Sequence, residues 1–82
     1  MPARLAMVTY SHDAHIWRLR LEPGEEAPNG RLVELPEFAG SLDDPDDLER
    51  INLILASWHV YPHSGGWRDQ NGGWVVPVLQ QR

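Results

Sequence analysis

Eighty-two residues with no cysteine support one small domain, 1–82, and exclude disulfide staples and cysteine-based metal or nucleophilic chemistry. Twelve acidic residues face seven arginines and no lysine, for a formal charge of −5. That balance excludes a general nucleic-acid binder, which needs a basic footprint, and suits a basic protein partner.

In chain order, Arg4 precedes an apolar run, Leu5 to Val8, that is too short for a signal peptide. No later stretch could span a bilayer, so a cytoplasmic protein with no membrane contact is expected. Segments 4–10 and 15–21 alternate as strands around a four-residue turn, Ser11 to Ala14. A tight turn there would set Tyr10 opposite His15, Val8 opposite Trp17 and Ala6 opposite Leu19. Trp17, Leu19 and Leu21 then share one face, and Arg18 and Arg20 the other. A loop rich in Pro, Gly and acid (22–30) leads to a third strand, 31–36.

Residues 41–58 carry the strongest helical pattern. Asp44 can cap it, Pro45 suits the first helical position, and four aspartates complement the positive end of the helix dipole. Leu48, Ile51, Ile54, Leu55 and Trp58 fall on one stripe while Leu53 points away. The helix must stop before Pro62. Asn71-Gly72 then predicts a two-residue hairpin turn, pairing Gln70 with Gly73, Asp69 with Trp74 and Trp67 with Val76. In that register Trp67 and Trp74 share a face. Pro77 lacks an N–H, which predicts an edge or open side for the last strand. The sum is an α+β fold, β-β-β-α-β-β: an antiparallel sheet of four to five strands with one helix packed on one face.

Four histidines prompt a metal test, since zinc accepts His and carboxylate ligands. His12 and His15 lie three apart, and His59 and His63 four apart, but Pro62 interrupts the second pair. No complete ligand signature results, and neither a metal nor another cofactor is expected. A histidine-dependent ribonuclease or metal hydrolase is the alternative function, although only Arg68 could serve a phosphate near His63. Ser11-His12-Asp13 are adjacent, and triads assemble from separate segments. The run 43–47 lacks the alternating ligands of a calcium loop, and helix capping explains it. No catalytic residue is assigned.

Two features carry a binding reading. Glu25 and Glu26, with Asp43, Asp44, Asp46 and Asp47, form an acidic surface suited to a basic partner. Trp67 and Trp74 are either core or, with Arg68 beside them, a protein-binding hot spot. Trp17 and Trp58 belong to the core.

The stretch "LRLEPGEEAPNGRLVELPEFAGSLDDPDDLERINLILASW", about residues 19–58, resembles the HicB antitoxin family. The likeness is a strand with an acidic turn, a second strand running into "PEFAG", and a capped amphipathic helix. Pro36, Glu37, Phe38 and Gly40 match that turn, whose role is structural, and Ala39 stands where the family more often has proline. The resemblance implies a small acidic α/β domain that masks a partner by surface contact. The separate DNA-binding segment of many such antitoxins has no counterpart before Arg82, so operator binding is not expected. The leading expectation is a non-catalytic, acidic inhibitor or antitoxin-like protein, of the kind phages use against host defences, that occludes a basic, nucleic-acid-handling partner. A structural subunit that homodimerises through the last strand is the second alternative.

Overall fold

The computed structural model describes residues 4–24, 28–63, 66–70 and 72–80. Glu25, Glu26 and Asn71 lie outside the described residues. Among the described residues, six strands and one helix follow in the order β1 (Arg4–Ser11), β2 (Ile16–Leu21), β3 (Arg31–Leu35), α1 (Pro45–Ser57), β4 (Val60–Pro62), β5 (Arg68–Gln70) and β6 (Gly73–Gln80). All form one antiparallel sheet, ordered β3-β2-β1-β6-β4, with β5 also on β6. This is the expected α+β architecture with one more strand.

The alternation read from the sequence sets the two faces. Ala6, Val8, Leu19, Leu21, Val76 and Val78 are buried on one face, under Ile51 and Leu55 of the helix. The helical stripe holds: Leu48, Ile54 and Trp58 are half-buried against this core, while Leu53 is 63% exposed. Asp44 caps the helix by accepting from the Asp46 N–H at 2.9 Å, with Pro45 next to it. The chain leaves the helix through His59, whose φ of 61° is left-handed, a conformation that a β-carbon disfavours. The His59 N–H donates to the Ala56 carbonyl, and its own carbonyl accepts from Gln80 Nε2, which ties the exit to β6.

Three expectations need correction. The first hairpin pairs Tyr10 with Trp17, Val8 with Leu19 and Ala6 with Leu21, a shift of two residues. Ser11 extends β1, and its hydroxyl accepts from the Ala14 N–H at 3.2 Å, so the loop becomes His12 to His15 with His15 left-handed at φ 54°. An even shift leaves every side chain on its expected face. The chain between helix and hairpin contains a strand, β4, that no alternation or turn signal in the sequence marks. The last strand is not an edge either: β6 has β1 on one side and β4 and β5 on the other. The Pro77 carbonyl accepts from the His63 N–H at 2.8 Å, and a residue's N–H and C=O point to the same side of a strand. Its missing donor therefore faces the point where β4 ends, where no ladder bond is broken. Among the described residues the sheet's outer strand is β3 at one end and the short β4 and β5 at the other, so β6 itself presents no free edge.

Candidate functional site

Beneath the helix start lies a groove of about 380 Å³ lined by Leu42, Asp43, Leu48, Asn52, Pro62, Gly66, Trp67 and Trp74. Its geometry follows from the hairpin register. Arg68 pairs with Val75, Asp69 with Trp74 and Gln70 with Gly73, as the Asn-Gly signal predicts. Trp74 therefore shares the core-side face with Val76 and Val78, and Trp67 lines the same groove. The helix supplies the opposite wall, because Leu48 and Asn52 lie one turn apart on the same side.

The two tryptophans have different surroundings. Trp74 belongs to a triangle of rings, with Trp17 at 5.6 Å and Phe38 at 5.9 Å, while Trp17 and Phe38 meet edge-on at 5.2 Å. Such tilted and edge-on pairs exploit the ring quadrupole, at about 0.5–1.5 kcal/mol each beyond buried area. Tyr10 extends the cluster by packing on Trp17. Trp67 is half-buried against the core and also lines the groove. Its indole Nε1 is shielded from solvent yet has no hydrogen-bond partner among the described residues, and the same holds for Asn52 Oδ1 on the other wall. Leaving such a group unpaired costs about 1–3 kcal/mol. The groove is thus walled by aromatic and aliphatic surface, with an unmatched donor and an unmatched acceptor buried in its walls.

The acidic residues divide. Asp43 lines the groove, and Asp44 and Asp46 are exposed beside it. Asp47 does not join them. It is 7% exposed, and its carboxylate accepts from the Ala39 N–H, tying the 36–40 turn to the first helical turn. A buried carboxylate at that depth holds structure rather than a partner. Arg68 also separates from the tryptophans. It sits opposite Val75, so the pleat turns it to the other face of the sheet, away from Trp74. Leu42, Leu48, Asn52, Pro62 and Gly66 complete the groove; in the sequence Leu48 reads as core and Pro62 as a helix stop, and nothing marks Leu42, Asn52 or Gly66 as site residues. Leu48 and Asn52 are one helical turn apart, the spacing that would have flagged them together.

The histidines are spread over separate segments: His12 and His15 in the first turn, His59 at the helix exit and His63 just past β4. His12 packs edge-on against Tyr10 at 5.0 Å. Among the described residues, no three His, Asp or Glu side chains gather closely enough to hold a metal ion. No described helix is long and apolar enough to cross a membrane. A second dent of about 120 Å³, between Leu35, Phe38 and Ile51, is bordered by the Arg50–Glu37 ion pair at 3.1 Å and offers less room. No family model, curated protein or solved structure matches this chain.

Proposed function

We propose that this chain is a non-catalytic protein-binding module, an acidic inhibitor or antitoxin-like protein that seats a basic segment of a nucleic-acid-handling partner in the Trp67–Trp74 groove. One observation carries the reading: Asp43 lines the same groove as the two tryptophans, and exposed Asp44 and Asp46 continue the acidic surface outward. An arginine or lysine entering there lays its aliphatic stem on the indoles, where cation–π attraction adds about 0.5–2 kcal/mol. Its charged head meets Asp43, which lines the groove beside the tryptophans. Trp and Arg dominate binding hot spots because they bury large area at a desolvated centre. The likeness of residues 19–58 to the HicB antitoxins supports the same class of behaviour, masking by surface contact.

The test is affinity capture of partners from the source cell with the wild-type chain and with the Trp67→Ala and Asp43→Lys variants. A stoichiometric basic partner that both substitutions release, and that elutes with rising salt, is the expected result. Capture of no stoichiometric partner, or one retained equally by both variants, would defeat the reading.

A further inference from the structure

The sheet has a second face, and among the described residues no helix covers it. Continuing the strand registers across that face gives one row of side chains over five strands: Leu32, Arg20, Met7, Val75 and Arg68. The next row sets Leu5 beside Pro77, and Tyr61 pairs with Leu79 beyond it. Leu32 is 59% exposed and Tyr61 46%, and Met7 and Val75 are only half-buried. The result is an apolar band along β1 and β6, flanked by an arginine on each side. Among the described residues, neither Arg20 nor Arg68 has an ion pair.

We propose that this open sheet face docks an amphipathic, acidic helix of a partner protein. Arg20 and Arg68 give this band a charge opposite to the groove's, the Arg18–Glu34 ion pair on the same face being neutral in sum, and the proposal does not depend on the groove reading. The dimensions fit: Arg20 and Arg68 lie three strand spacings apart, about 14 Å at roughly 4.8 Å each. A helix about 10 Å across, laid along β1 and β6, would place its apolar side on Met7, Val75 and Leu5. Carboxylates on its two flanks would then reach Arg20 and Arg68 in charge-assisted, bidentate pairs. A second copy of the chain fits poorly, because self-packing would bring arginine rows together. A nucleic acid fits poorly too, because the centre of the face is aliphatic and the chain carries a net −5.

The experiment is a nuclear magnetic resonance titration of the ¹⁵N-labelled chain with a synthetic helical peptide. The peptide has a leucine stripe flanked by glutamates, and a control has lysines in their place. The glutamate peptide is expected to shift the Met7, Arg20 and Val75 amides, and the lysine peptide is not. Arg20→Glu with Arg68→Glu should weaken glutamate-peptide binding at least about tenfold, as expected for two lost charge pairs at an interface rim. Since Arg68 lies in a three-residue strand, Leu32→Glu at the opposite margin provides a second variant expected to weaken binding. Unmoved sheet amides at millimolar glutamate peptide would overturn the proposal, as would equal response to both peptides. So would stronger shifts of these amides with oligouridine, or shifts that follow the chain's own concentration.

Discussion

The two glycines that end the hairpin, Gly72 and Gly73, should respond to alanine for unrelated reasons and by different amounts. Gly72 has φ 79° and open space where a β-carbon would go. Gly72→Ala therefore loses only the conformational preference, about 1–2 kcal/mol for a left-handed residue. Gly73 is buried, and a β-carbon there would fall onto the Val8 carbonyl oxygen of the neighbouring strand. That oxygen is backbone, so relief requires moving β1 and β6 apart at the centre of the sheet. Overpacking of this kind costs about 1–3 kcal/mol and occasionally more, and the backbone position puts Gly73→Ala at about 3 kcal/mol or above. The domain as a whole is stabilised by only about 4–12 kcal/mol. With a shift of about 4–8 °C per kcal/mol, Gly72→Ala should lower Tm by roughly 4–16 °C and Gly73→Ala by at least roughly 12 °C. Thermal unfolding followed by far-ultraviolet circular dichroism reads both variants. A Gly73→Ala protein as stable as wild type, or more stable than Gly72→Ala, would refute the close approach of β1 to β6 and the register built on it.

Two further substitutions test the helix. Leu55→Ala, at a fully buried position, should cost about 2–5 kcal/mol, while Leu53→Ala, 63% exposed, should change stability by less than about 0.5 kcal/mol in urea unfolding. Asp44→Ala removes the acceptor for the Asp46 N–H and should cost about 1 kcal/mol, with Asp44→Asn close to wild type because either side chain caps.

What was legible in the sequence was whatever a period or a turn dipeptide encodes. The helix limits follow from Asp44, Pro45 and the 3.6-residue stripe, and the final hairpin register follows from Asn71-Gly72. The first hairpin slipped by two residues because its turn depends on one hydroxyl, Ser11 on the Ala14 N–H, and on a left-handed histidine that no rule assigns to that residue. β4 has three residues, one a proline, and follows a left-handed His59, so neither period nor composition marks it. Pro77 inside an interior strand misled for a local reason: its missing N–H coincides with the end of β4, a long-range fact. Within the site, alternation predicts a shared face for Trp67 and Trp74, and both line one groove, but the groove itself has no sequence signal. The same alternation turns Arg68 to the far face, so grouping it with the tryptophans by neighbourhood in sequence was the error. Asp47 looked like its exposed neighbours because helical position predicts only that it lies in the first turn. Its burial depends on where the 36–40 turn crosses the helix.

The central claim, that the Trp67–Trp74 groove takes a cationic side chain beside Asp43, is tested most directly by the Trp67 indole N–H resonance. A short arginine-leucine peptide is titrated into the ¹⁵N-labelled chain at low and at physiological salt. The Trp67 indole signal is expected to shift saturably, with affinity falling as salt rises, and Asp43→Lys is expected to abolish the shift with the fold intact. An indole signal that stays still while the chain binds the peptide elsewhere would contradict the claim.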